Sequence, residues 1–206
     1  MSSEIVPMAY GDALIIASDA PPSILPMSVG EMHLFSYLGC VLALFKGKAI
    51  GEWGYQYAVT SEGFPFSEEL YAARESLFAR GLIEMTDEQL MQPTQPQISD
   101  ELELIQSLAH WISERRPWLR SATECALAFP VGAIRHAINQ TPGVAVPLRL
   151  GQRRKLLDPD DVGLLYNEYE VVSKVLGPDV RDTLSPAVLW LSARVLRSGG
   201  GADLGL

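Results

Sequence analysis

The fold is decided by a stretch that begins with SVGEMHLFSYLGCVLALFKG (28–47) and ends with RGLIEM (80–85). Ser28 and Glu31 have the spacing of a capping box, in which two side chains satisfy free backbone N–H groups of the first helical turn. Apolar residues then recur at helical spacing until a lysine-glycine pair, which is typical of a helix C-terminus. The sequence therefore predicts a central, nearly all-apolar helix over residues 29–46.

A strand, a second helix and a hairpin are predicted to follow this first helix. Residues 50–60 mix aromatic and β-branched residues with glycine, and part of the run alternates as a half-buried strand does. Ser67 is followed by two glutamates and begins a helix over 67–80. Gly81 ends that helix, and residues 82–91 form two short apolar runs around an acidic tip. This order of a helix, a glycine, a strand, a tip and a return strand is found at the end of a winged-helix domain.

The chain is predicted to have an α+β, predominantly helical fold, with a winged-helix-like N-terminal unit followed by a helical C-terminal half. The proline cluster before Ser28 predicts an extended arm, and the prolines after residue 91 predict a linker. The predicted units are an N-terminal arm (1–27), a winged-helix-like domain (28–91), a linker (92–97), a helical domain (98–198) and a disordered tail (199–206).

The helical half contains several start and stop signals. A helix is predicted from Ser99 to Arg116, and Pro117 either stops it or begins the next helix. Further helices are predicted over residues 118–129, over 130–140, from Asp158 to Gly177, and over 186–197. The segment 141–150 is predicted to be extended.

The composition predicts a globular protein of the cytoplasm. Hydrophobic residues make up 48% and charged residues 20% of the chain, and no run of about 18 uncharged apolar residues exists. The first 30 residues carry no Lys or Arg, so the basic start of a signal peptide is missing. Cys40 and Cys125 are flanked by apolar residues, and we expect both to be buried thiols. Membrane association is not expected.

Charge is distributed unevenly along the chain, whose formal net charge is −9. Residues 28–91 hold 4 basic and 9 acidic residues (4 − 9 = −5), whereas residues 110–157 hold 8 basic and 2 acidic residues (8 − 2 = +6). The candidate contacts to nucleic acid or to a partner protein are Arg115, Arg116, Arg120, Arg149, Arg153, Arg154 and Lys155. Arginine suits phosphate and carboxylate recognition through its planar fork. The alternative is that these arginines pair with carboxylates of this chain, including Asp158 to Asp161.

Charge also argues against DNA reading by the helix at 67–80. This helix carries three glutamates against Arg74 and Arg80, whereas a recognition helix needs positive charge to neutralise phosphates. A direct nucleic-acid-binding protein would therefore use the arginine region 115–155.

No motif for catalysis, metal binding or cofactor binding stands in the sequence. His-Glu-x-x-His, paired Cys-x-x-Cys, the Gly-x-x-x-x-Gly-Lys phosphate loop and the Gly-x-Ser-x-Gly elbow are all missing. We therefore expect a protein without catalytic activity, cofactor or metal. The alternative is an enzyme of unrecognised type that uses His136 or Cys125.

One family resemblance rests on EMHLFSYL (31–38), Gly54-Tyr55, Pro65 to Ser67 and Ala79 to Ile83. With these residues the chain resembles, over roughly 28–140, the middle components of bacterial ABC-three-component systems of the Lamassu type. These are small partners of SMC-like ATPases in anti-phage defence. More loosely, the chain is similar to winged-helix accessory subunits of bacterial SMC complexes. The resemblance implies a non-catalytic adaptor between an SMC-like ATPase and an effector nuclease, which meets DNA through the complex.

Overall fold

The computed structural model describes residues 5–60, 63–141, 144–145 and 154–199 of the chain. The helices of these residues are α1 (Pro7–Asp19), α2 (Val29–Phe45), α3 (Glu68–Ala79), α4 (Gln97–Leu108), α5 (His110–Ala128), α6 (Val131–Asn139), α7 (Pro159–Leu176) and α8 (Leu184–Gly199). The strands are β1 (Ala58–Val59), β2 (Pro65–Phe66), β3 (Ile83–Met85), β4 (Met91–Pro93) and β5 (Arg154–Lys155). The prediction of an α+β, predominantly helical fold is confirmed.

Helix α2 lies at the centre of the molecule. The predicted capping box is present, because Ser28 Oγ accepts a hydrogen bond from Glu31 N at 3.2 Å and Glu31 Oε2 accepts one from Ser28 N at 2.6 Å. Every residue from Met32 to Phe45 is buried, and α2 packs against α1, α5 and α7. The helix is apolar on all sides because other elements surround it.

The segment predicted as an extended arm is instead the buried helix α1. Pro7 occupies the first turn, where its missing N–H leaves no helical hydrogen bond unmade. Residues 13–17 are fully or almost fully buried, and α1 packs on α3, α4 and α5. The prediction was wrong because apolar residues occur on every side of this helix and hide its period. Gly11 allows Trp111 of α5 to lie directly against α1, since a Cβ at position 11 would be 2.5 Å from Cη2 of Trp111.

Apart from the segment with β1 and β2 between α2 and α3, the first half of the chain follows the element order of a winged helix, with α1 as its first helix. Met27, between α1 and α2, bridges to Met91 of β4, with backbone N···O distances of 3.0 and 2.7 Å. Strands β3 and β4 form the predicted hairpin after α3 and pair in antiparallel register. The order is therefore helix, bridge, helix, helix and hairpin, and the bridge adds a third strand position beside β4.

A segment of about 20 residues separates α2 from α3 and forms less strand than the sequence predicts. Residues Ile50–Trp53 are a 3₁₀ helix, which ends at Gly54 with φ +91°. Only Ala58–Val59 of the predicted strand pairs, with β2 on one side and β5 on the other. The burial of the side chains does alternate as predicted, with Tyr55, Tyr57 and Val59 buried and Gln56 exposed, although only two residues of this run form a strand.

The C-terminal helices break at a different residue from the one predicted. The backbone turns at Ala109, which is extended at φ −131° and ψ 101°, whereas α5 continues through Pro117. Pro117 lies on the exposed side of α5, where the loss of one backbone donor is tolerated. The helix boundaries predicted near Phe129, Asp158 and Gly177 are confirmed.

One hydrophobic core runs through the described residues and includes side chains from α1 to α8. None of the helices in the described ranges is both long enough and apolar enough to span a membrane. The predicted tail from 200 onwards, and most of the segment predicted as extended at 141–150, lie outside the described residues.

Candidate partner-binding site

Arg115, predicted as a surface contact, lies in the core and forms a bidentate ion pair with Asp12 of α1. Its Nε lies 2.6 Å from Asp12 Oδ1, and its Nη2 donates to Oδ2 of the same carboxylate. Its Nη1 donates to the carbonyl of Trp53 at 3.1 Å, and the guanidinium carbon lies 3.7 Å from the Trp53 ring centroid. Only 5% of Arg115 and none of Asp12 is exposed. The prediction that Arg115 contacts a partner was wrong.

Buried hydroxyl groups extend this ion pair into a network. Tyr55 OH donates to Asp12 Oδ2 at 2.5 Å and lies 2.6 Å from Ser36 Oγ. Ser36 Oγ lies 2.7 Å from Tyr57 OH, which also accepts a hydrogen bond from Trp53 Nε1 at 3.0 Å. The network thus joins α1, α2, α5 and the segment after α2. No sequence motif could reveal it, because its members are far apart along the chain.

Burial and ion pairing shift the pKa of four residues in this network. Burial raises the pKa of Asp12, although Arg115 and the Tyr55 hydroxyl oppose that rise. Burial disfavours the charged form of Arg115, but pairing with Asp12 outweighs this and raises its pKa. Burial also raises the pKa of Tyr55 and Tyr57, so both hydroxyls stay protonated at neutral pH.

The other described arginines of the predicted site also pair with carboxylates. Arg116 binds Asp19 through two nitrogens at 2.6 and 2.8 Å. Arg120 Nε lies 2.8 Å from Glu124, one helical turn away. These pairs support the alternative in which the arginines neutralise acidic residues of the same chain.

The end of the predicted arginine region lies at the edge of the small sheet. Arg154 pairs with Asp158 and lies 3.4 Å from Asp161 at the start of α7, and Lys155 is exposed on β5. Arg149 and Arg153 lie outside the described residues. The described members therefore lie on two elements, α5 and β5, and each arginine among them pairs with a carboxylate of this chain.

One exposed surface with aromatic side chains lies on α3, the helix that precedes the β3–β4 hairpin. Its buried side carries Leu70, Ala73 and Leu77, which pack toward α1. Its opposite side carries residues at helical spacings of three, four and three, and we call these residues the α3 solvent face: Glu68, Tyr71, Glu75 and Phe78.

The α3 solvent face is both aromatic and acidic. Tyr71 is 42% and Phe78 47% exposed, and both glutamates are exposed. The nearest cations are already engaged. Arg74 is buried and pairs with Glu75, and Arg80 at the helix end lies 2.8 Å from Glu101 of α4.

The histidines and cysteines do not converge. His33 is buried against the Phe66 ring, whereas His110 and His136 are exposed on α5 and α6. Cys40 and Cys125 are free, buried thiols, as predicted, and burial raises the pKa of Cys125 to about 12. Among the residues that the structure describes, no group of three or more His, Cys, Asp or Glu side chains is placed to hold a metal ion.

No protein-family model, no curated protein and no solved structure matches this chain.

Proposed function

We propose that this protein is a non-catalytic accessory subunit that binds a larger protein complex through the α3 solvent face. The observation that carries the proposal is the exposure of Tyr71 and Phe78 between two glutamates, on the helix that a DNA-binding winged helix would insert into a groove. Exposed aromatic residues are enriched in the energetically dominant centres of protein interfaces.

Electrostatics favours a protein partner over nucleic acid at this surface. A duplex presents closely spaced phosphate charges, and Glu68 would be brought against them, whereas Arg74, the cation beside this face, is already paired with Glu75. A protein surface with apolar pockets and lysine or arginine at its rim would match both features of the face. The acidic helix therefore supports binding to a basic and apolar protein surface.

The identity of the partner follows from the family resemblance and is part of the proposal. The resemblance to the middle components of ABC-three-component systems implies an SMC-like ATPase and an effector nuclease as the two partners, in defence against phages or plasmids. In such a complex this chain would bridge the two, and any DNA would be bound by the assembly.

Co-expression with the products of the flanking genes tests this proposal. We expect the chain to co-elute in size-exclusion chromatography with an SMC-like ATPase and to show no ATP turnover by itself. The matched control is Leu108→Ala on α4, because Leu108 is 78% exposed but lies outside the α3 solvent face. Loss of co-elution in Tyr71→Ala/Phe78→Ala, with retention in Leu108→Ala, is the expected result. A chain that elutes as a free monomer with every flanking product would overturn the proposal.

A further inference from the structure

Helices α7 and α8 form an antiparallel hairpin with an open groove between them. The short segment 177–183 connects the two helices. Glu168 in the middle of α7 accepts hydrogen bonds from Trp190 Nε1 at 2.8 Å and from Arg194 Nη2 at 2.6 Å, and these bonds join α7 to the second half of α8. The groove has a volume of about 310 Å³, and the buried side chains of Val172 and Trp190 line it.

Exposed aliphatic side chains border this groove on both helices. On α7, Leu164, Val171 and Val175 are 45%, 59% and 69% exposed. Their separations of seven and four residues place them on one line along the helix. On α8, Leu196 is 74% exposed and lies one turn after Ala193, which lines the groove together with Leu164 and Val171. Apolar stripes with this spacing are the seams through which helices pack against other helices.

The two helices carry opposite charge. Helix α7 has one basic and four acidic residues (1 − 4 = −3), whereas α8 has two arginines and no acidic residue (+2). Three of the acidic residues of α7 form ion pairs within the chain, as does Arg194 of α8. Among the described residues, Asp160 in the first turn of α7 and Arg197 in the last turn of α8 have no ion-pair partner, and both are exposed. In an antiparallel hairpin these two residues lie at the same end.

We propose that the α7–α8 hairpin is a homodimer interface, in which α7 of one copy packs against α8 of a second copy and the four helices form a bundle. A two-fold axis parallel to the helices repeats every contact, so the acidic and the basic helix of both copies are matched at once. The stripe of Leu164, Val171 and Val175 in one copy then packs beside Leu196 of the other.

Electrostatics selects both the second copy and its orientation. Contact between α7 and the α7 of another copy would bring two helices of charge −3 together, whereas contact between α7 and α8 joins opposite charges. The same arrangement brings Asp160 of one copy to the level of Arg197 of the other, so each unpaired charge gains a partner. No other molecule is needed to supply the complementary charge or the apolar stripe.

Analytical ultracentrifugation of the full chain over about 1–100 μM tests this proposal. We expect a monomer–dimer equilibrium, and we expect Val171→Glu/Leu196→Glu to be monomeric because it places charge in the apolar seam. Both positions are exposed, so the variant should keep the circular dichroism spectrum of the wild type. The matched control is Leu108→Glu on α4, which is 78% exposed and should dimerise like the wild type. A wild-type monomer at every concentration, or equal weakening in the control, would overturn the proposal.

An exchange of charges tests which helices pair. Asp160→Arg and Arg197→Asp should each raise the Kd of the dimer by about tenfold, because each replaces two attractions with two repulsions. An equimolar mixture of these two variants should dimerise like the wild type, since both contacts again join opposite charges. A mixture as weak as the single variants would contradict the pairing of α7 with α8. Tyr71→Ala/Phe78→Ala should leave the dimer intact, so failure of the α3 solvent face as a binding site and failure of this interface are distinguishable.

Discussion

At the scale of single residues, the pairing of Asp12 with Arg115 explains how a polar group is accommodated in the middle of the core. A buried ion pair contributes little net stability compared with apolar residues, but losing one partner leaves an unpaired charge in the interior. We therefore expect Arg115→Met to lower the free energy of unfolding by about 3–5 kcal/mol, measured by urea denaturation.

Arg116 is the matched control for this prediction, since it also binds a carboxylate of α1 bidentately but has 34% of its side chain exposed. Arg116→Met should change the free energy of unfolding by at most about 1 kcal/mol. The double variant Asp12→Leu/Arg115→Met should lose less free energy of unfolding than the sum of the losses in the single variants Asp12→Leu and Arg115→Met. Equal losses for Arg115→Met and Arg116→Met would contradict the role assigned to the buried pair.

His33 gives the fold a defined dependence on pH. Burial lowers the pKa of His33 from 6.5 to about 4, and its Nδ1 accepts a hydrogen bond from the backbone N–H of Ser67 at 3.2 Å. The unfolded chain therefore binds a proton between pH 6.5 and about 4 that the folded chain does not bind, and stability falls as the pH decreases through this window. The loss due to His33 is about 3 kcal/mol.

Urea denaturation of the wild type and of His33→Gln at pH 7 and near pH 4 measures this contribution. Glutamine keeps an acceptor for the Ser67 N–H but does not titrate. The wild type should lose about 3 kcal/mol more than the variant over the window. The same pH dependence in both proteins would show that other groups control the acid sensitivity.

Among the secondary-structure elements, α1 is an integral part of the core, and at Gly11 its backbone packs closely against α5. A Cβ at Gly11 would lie 2.5 Å from Trp111 Cη2 and 2.6 Å from Ile112 Cδ1. Gly11→Ala should lower the free energy of unfolding by about 1–3 kcal/mol despite the higher helix propensity of alanine.

Gly163 in α7 is the matched helical control, because nothing lies within 4 Å of a Cβ placed there. Gly163→Ala should raise the free energy of unfolding by about 0.5–1 kcal/mol. Thermal unfolding of both variants checks the pair. If Gly11→Ala raised the free energy of unfolding as Gly163→Ala does, the result would contradict a tight contact between α1 and α5 at this glycine.

The elements differ in how far the sequence could predict them. Helix α2 was predictable because Ser28 and Glu31 form a local capping signal and an apolar run follows. Helix α1 was not, because its apolar residues surround the axis and give no periodic signal. The break at Ala109 was missed for a different reason. Helix α5 packs against α1 and α2 and continues through Pro117, so the local tendency of this proline to end a helix does not set the boundary.

The candidate partner-binding site could likewise be predicted only in part from the sequence. The acidic character of α3 is visible in the sequence and argues against DNA reading by this helix. The pairing of Arg115 with Asp12 is not visible, because 103 positions separate them and each has several possible partners. The described arginines of the predicted site therefore form separate ion pairs in the structure.

At the scale of the whole molecule, this distribution of charge predicts weak binding to nucleic acid. The described arginines of the predicted site are paired or buried, and the helix in the recognition position is acidic. We expect the affinity for duplex DNA to have a log–log salt slope of magnitude below about 2. Charge reversal by Arg153→Glu/Arg154→Glu should leave that slope unchanged. A steep slope that this variant abolishes would favour a direct nucleic-acid-binding protein.

We propose that the molecule works by protein contact through the α3 solvent face. The most direct test is the Kd for the co-purified ATPase partner, measured for the wild type and for Tyr71→Ala/Phe78→Ala, with folding checked by circular dichroism. The proposal predicts that the double variant stays folded and binds at least about 30-fold more weakly, because interface aromatics of this kind contribute about 2 kcal/mol or more. An unchanged Kd in a folded double variant would contradict it.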